Sequence, residues 1–202
     1  MNATLERDRV DQAWDRIETW LAGHAPRTLA TLNPPAQPSE IRAAEESLGV
    51  TFPPGLVASL LRHNGVRGED AHGDVDPAAF CLPSEHRLLP VAEILSMTGL
   101  LRSVQGGAFE AEQWWQPAYV QVASYDITTD GTVLDCRNGR VGEFSRTSGA
   151  IFTGSESFGE HLTATADGLE QGRAVLIDRD EEEIDEADPD AAPLTERAVI
   201  WP

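Results

Sequence analysis

A chain of 202 residues can bury roughly two thirds or more of its surface around one core, so neither disulfides nor metal are needed to keep it folded. Its 34 Asp and Glu residues against 15 basic ones give a formal net charge of -19, which repels nucleic acid and anionic membranes in the absence of an Arg cluster and attracts basic proteins. No apolar run approaches the ~20 residues that span a bilayer, and Cys81 and Cys136 alone argue against a disulfide framework.

The amino terminus, MNATLERDRVDQAWDR, lacks the basic start, apolar stretch and cleavage site of a secretory signal, and two reduced thiols suit a cytoplasmic address. Every basic residue is Arg, which with the Ala, Gly and Pro content points to a GC-rich bacterial source; the absence of Lys also excludes a Walker-type phosphate loop. Over residues 5–22, Val10, Ala13, Trp14, Ile17, Trp20 and Leu21 recur at three- and four-residue spacing, which predicts an amphipathic helix closed by Gly23. Ser39 is the expected N-cap of a second helix carrying Ile41, Ala44, Glu45 and Leu48, with Gly49 as its left-handed terminator. Pro53 and Pro54 open a third, through Leu56, Val57, Leu60 and Leu61, that ends at Asn64-Gly65.

Residues 66–77 are rich in Gly and Asp without periodicity and read as an exposed loop. Short apolar runs at 80–82 and 88–89 predict strands, and 91–104 another helix. AYVQVASYD, GTVLDCRNG and GRVGEFSR alternate β-branched and aromatic residues between Asp-Gly and Asn-Gly turns, as an antiparallel meander does, and 157–169 predicts a closing helix. The block 178–190 holds nine carboxylates and one Arg, leaving -11 of the -19 for the rest of the chain. RAVLI before it and ERAVIW after it read as short strands, so a loop tethered at both ends is expected there.

Ile41, Glu45, Leu48, Gly49, Pro53 and Leu56, followed by Asn64 and Gly65, form a pattern that resembles the SUKH superfamily, the group of the yeast Smi/Knr cell-wall assembly regulators and many bacterial immunity proteins. Trp115 and Pro117 before a strand, Asp130-Gly131 at a turn, Asp135 on a strand, a glycine-containing turn at Gly142, and residues 158–162 extend the similarity, which covers roughly residues 14–169. The resemblance implies a cytoplasmic, non-enzymatic protein. For bacterial members it implies an immunity protein that neutralises a cognate toxin, often a nuclease; for fungal members, a regulatory or scaffold hub. With the pattern of elements it predicts an α+β single domain with a mixed, mainly antiparallel central sheet flanked by helices. Residues 1–38 would supply a helix and loop, 39–170 the SUKH-like core, and 171–202 an extension bearing the acidic loop.

No residues compose a catalytic centre. Residues 126–131 echo a calcium loop, with Asp126, Asp130 and Gly131 in register, but Arg137 replaces the bidentate Glu and the flanks read as strands, so a hairpin turn is expected and no metal or other cofactor. His63, Cys81 and Asn64 lack any alignment for a thiol nucleophile, and Cys81 with His86, or His63 with His72, gives at most a partial zinc site. The motif residues, Trp115 and Asp135 included, read as structural. The expected partner is a basic protein, a toxin domain, met by acidic side chains: Glu110 and Glu112 beside an exposed Trp114, and Asp180, Glu181, Glu182 and Glu183 in the acidic block.

Overall fold

The computed structural model describes residues 2–69, 72–108, 114–125, 129–178 and 197–202. The first helix, α1 (Ala3–His24), runs through Gly23 and stops at Ala25, whose N–H donates to the Leu21 carbonyl. Its apolar stripe of Val10, Ala13, Trp14, Ile17 and Leu21 is fully buried, whereas Trp20 is only half-buried and stacks on His24. A one-turn α2 (Pro26–Leu29) leads to α3 (Pro38–Leu48). That helix starts one residue earlier than a Ser39 cap would place it: Pro38 takes the first position, where a missing N–H costs nothing, and Gln37 and Glu40 form a reciprocal capping box. The short α4 (Pro54–Arg62) follows, and α1 packs chiefly on it and on α6 (Phe158–Glu170).

The sheet is wholly antiparallel, not mixed. Its six strands, β1 (Cys81–Leu82), β2 (His86–Leu88), β3 (Tyr119–Ser124), β4 (Gly131–Asp135), β5 (Val141–Ser145) and β6 (Gly149–Ile151), lie in sequence order, with α5 (Val91–Ala108) inserted between β2 and β3. Each strand returns beside its predecessor, so no parallel crossover is required. The central pair β3 and β4 is buried at every position. Consecutive residues point to opposite faces, which divides the apolar side chains between two clusters. Val120, Val122 and Leu134 join the main core with the helices, while Tyr119, Val133 and Phe144 pack with Leu101, Trp114 and Trp115.

The predicted strands around the acidic block pair with each other, as β7 (Val175–Asp178) and β8 (Arg197–Ile200), in register from Val175 opposite Ile200 to Asp178 opposite Arg197. This ladder is tied to the body: Val199 N–H donates to Thr28 Oγ1 at 3.0 Å, and buried Trp201 donates from Nε1 to the Cys81 carbonyl at 2.8 Å. Residues 66–77, read from sequence as an irregular exposed loop, carry isolated bridges between Leu32 and Val66 and between Glu69 and Val75, and Asp76 at their base is buried. Its carboxylate accepts the Ala78 N–H and lies near Arg27 and Arg67.

Candidate functional site

Each residue of the sequence motif has a structural task. Gly49 sits at φ 65° and terminates α3 in a Schellman arrangement, Val50 N–H reaching the Glu45 carbonyl and Gly49 N–H that of Glu46. The Glu45 side chain accepts the Phe52 N–H at 2.7 Å, fixing the turn into Pro53 and α4, while Ile41, Leu48 and Leu56 fill the core. Asn64 and Gly65 do more than end α4. The Asn64 side chain accepts the Val91 N–H at 2.9 Å and so caps α5, a helix that begins 27 residues later. Gly65, at φ 63°, crosses so tightly over Leu89 and Pro90 that a Cβ would collide with their backbone.

Asp135 organises the turn between β4 and β5. Its buried carboxylate takes a fork from Arg137 Nε and Nη2, both at 2.8 Å, with further bonds from the Arg137 N–H and the Asn138 side chain, and these donors hold its pKa below the ordinary carboxylate value against the opposing effect of burial. The turn's left-handed glycine is Gly139; Gly142 lies in β5, where its missing side chain makes room for Ile151 and Phe152. Trp115 is fully buried, edge-on to Phe144 and Tyr119.

Trp114 is 4% exposed and donates to the Arg146 carbonyl, so it is a core residue and not the exposed anchor that strand alternation suggested. The segment leading into β3 wraps both indoles against the second cluster, a tertiary effect that alternation cannot anticipate. Glu110, Glu112, Asp180, Glu181, Glu182 and Glu183 lie outside the described residues, as do Asp126 and Thr128 of the calcium-loop echo.

Among the described residues no group of three or more His, Cys, Asp or Glu side chains is placed to hold a metal. His63 is spent structurally, between Glu18 at 2.8 Å, the Asn33 carbonyl and the edge of Trp14. Burial pushes the Cys81 and Cys136 thiols up to about 12, where a nucleophilic thiolate is not populated at neutral pH.

A groove of about 830 Å³ lies between residues 66–69 and 73–77, the β1–β2 hairpin and β8. Arg67, Glu69, Val75, Glu85, Tyr125 and Ile200 are among its walls. A second, smaller hollow at the end of α3, lined by Arg42, Glu46 and Thr51, is the space around the Gly49 cap.

The sequence profile of the SMI1 / KNR4 family (SUKH-1) matches residues 35–172, more than half of the chain. The chain belongs to this family. It is 32% identical over 92 residues to a KNR4/SMI1 homolog of Eremothecium gossypii and 33% identical over 92 residues to one of Kluyveromyces lactis, in each case across 46% of this chain and only 13% and 16% of the relative. It is 24% identical over 226 residues, 87% of this chain and 44% of the relative, to the cell wall assembly regulator SMI1 of Saccharomyces cerevisiae. The chain therefore spans less than half the length of each of these yeast proteins.

Within this SUKH-1 fold the charge is distributed unevenly between paired and unpaired groups. Arg9, Arg16, Arg27, Arg62, Arg67, Arg87, Arg137 and Arg140 all lie within ion-pair distance of the chain's own carboxylates. Two of these pairings clamp the helices: Arg62 bridges Asp15 and Glu18 from α4 to α1, and Arg16 bridges Asp167 and Glu170 from α1 to α6. The groove residues Glu69, Val75, Glu85 and Tyr125 were invisible to sequence reasoning, because they come from three unrelated connections with no shared spacing.

Proposed function

We propose that this chain is a non-catalytic protein-binding module whose acidic surface covers a basic face of a partner, and more specifically an immunity protein that neutralises a toxin domain in the cytoplasm by occupying its cationic substrate cleft. The observation that carries the reading is electrostatic. Half or more of the arginines are already paired with internal carboxylates, which leaves little cationic surface to offset the excess acid of the chain. Complementary charge of this kind accelerates encounter by orders of magnitude and suppresses like-charged competitors. Membership of the SMI1 / KNR4 family and the structural employment of His63 and both cysteines support a binding role over a catalytic one.

The similar proteins are yeast ones, and one is named a cell wall assembly regulator, which favours a second reading: a regulatory or scaffold module binding a host protein. Affinity capture from the native host, with identification of the co-purifying protein, separates the two. A basic toxin domain whose activity is abolished stoichiometrically by this chain supports immunity. A regulatory host protein, with no toxin recovered, replaces it with the second reading.

A further inference from the structure

We propose that the groove between residues 66–69 and 73–77, the β1–β2 hairpin and β8 docks an extended segment of a partner protein, one that presents a basic side chain next to an apolar one. The inference rests on the protein-binding reading above and assigns it a place. Charge identifies the basic component. Both arginines in the groove are committed internally: Arg87 donates to Glu93 at 2.7 Å and to the Val66 carbonyl at 2.9 Å, and Arg67 lies 3.5 Å from Asp76. Asp76 in turn is engaged by the Ala78 N–H and by Arg27. What remains is Glu69 on the loop and Glu85 on the hairpin, both exposed and, among the described residues, without an ion pair. The groove is thus net negative toward an incoming side chain, which disfavours carboxylate-bearing segments.

The apolar component follows from what stands beside those carboxylates. Val75 is 58% exposed and Tyr125 47% exposed, two of the few large apolar side chains left in water among the described residues, and half-buried Ile200 also lines the groove. An aromatic and two aliphatics flanked by charge is the arrangement of an anchor surrounded by a polar rim. The described parts of the walls are tied to the rest of the protein. Arg87 lies flat against Gly68, where a Cβ would stand 2.6 Å from its Nε, and the Asp76 N–H donates to the Gly68 carbonyl, so the loop is pinned at its base. In the hairpin, Ser84 and Glu85 are both left-handed, at φ 81° and 60°, a conformation that non-glycine residues adopt at a cost of about 1 kcal/mol or more each and that sets Glu85 on the groove wall.

The test is selection of a random dodecapeptide phage library on the immobilised full chain, followed by anisotropy titration of the enriched peptides, made synthetically, against wild type and the variants Val75→Asp and Glu69→Arg/Glu85→Arg. All three positions changed are solvent-facing, and unaltered thermal melts establish that the variants fold. Enrichment of peptides pairing Arg or Lys with Leu, Ile or an aromatic, with affinity lost about tenfold or more in both variants, is the expected result. Acidic or wholly polar peptides, no enrichment over bare support, or equal affinity for wild type and variants would overturn the groove as the docking site. A concentration-dependent dimer in sedimentation, abolished by Val75→Asp, would assign the groove to a second copy and overturn it equally. Basic peptides that bind the variants unchanged sink the groove while leaving the acidic-surface reading standing; failure of that reading shows instead as a captured partner indifferent to salt.

Discussion

Asn64 and Gly65 show how a two-residue signal can be recognised from sequence while its purpose stays hidden. As a dipeptide they mark the end of a helix, and α4 does end at Arg62. Their tasks, capping α5 and passing over Leu89–Pro90, depend on a neighbour more than 20 residues away, which no local pattern encodes. Gly65→Ala should therefore cost about 2 kcal/mol or more, from the left-handed backbone and the collision together, measured as a lowered urea midpoint; a loss below about 0.5 kcal/mol would mean that the crossing relaxes freely. His161 makes a different residue-scale prediction. Its Nε2 is buried without a hydrogen-bond partner among the described residues, and burial, with His86 on β2 adding to it and Glu143 on β5 opposing it, lowers its pKa from 6.5 to about 4. The folded protein then binds fewer protons than the unfolded chain between those values, so stability is full above about 6.5 and falls as the pH drops toward 4, by about 3 kcal/mol from this residue. The urea midpoint of wild type should fall by more than that of His161→Leu as the pH drops from 7 to 4.5. Parallel curves would show that His161 does not titrate in that window.

At the scale of elements, the helices of the amino-terminal half were legible because each combines an apolar stripe with a terminator: the stripe of α1, the Gly49 stop of α3 and the prolines opening α4. The meander was legible from its alternation and its turns, although the central strands bury both faces and their near-continuous apolar runs weaken the period. Sequence gave no means of seeing that every neighbour would be antiparallel, since strand order is settled by long-range packing. The pairing of β7 with β8 bears on the acidic block. Because the two strands form their own ladder from Asp178 opposite Arg197 inward, the eighteen residues between them can be replaced by Asn-Gly without touching a ladder hydrogen bond. Such a protein loses nine carboxylates and one Arg, moving from -19 to -11, and should melt no lower than wild type, because a shorter loop costs less closure entropy and the chain repels itself less. A fall of several degrees would mean that the block makes stabilising contacts.

For the whole molecule, one domain of the SMI1 / KNR4 family combines helix-to-helix ion clamps with a sheet whose central strands are buried on both faces. The candidate partner residues illustrate what a sequence conveys about a surface. Charge excess is visible in composition, but which carboxylates stay unpaired is decided by where each Arg lands, and Trp114 turned inward for reasons of packing alone. The most direct measurement is the association rate constant of the captured partner with the full chain as NaCl is raised from ~20 to ~500 mM. Steering by the acidic surface predicts a fall of about tenfold or more, with a much smaller change in the -11 truncation if the 179–196 segment supplies the attraction, and an undiminished fall if the folded body does. A rate constant flat across that range in both proteins would contradict electrostatic recognition of a basic partner.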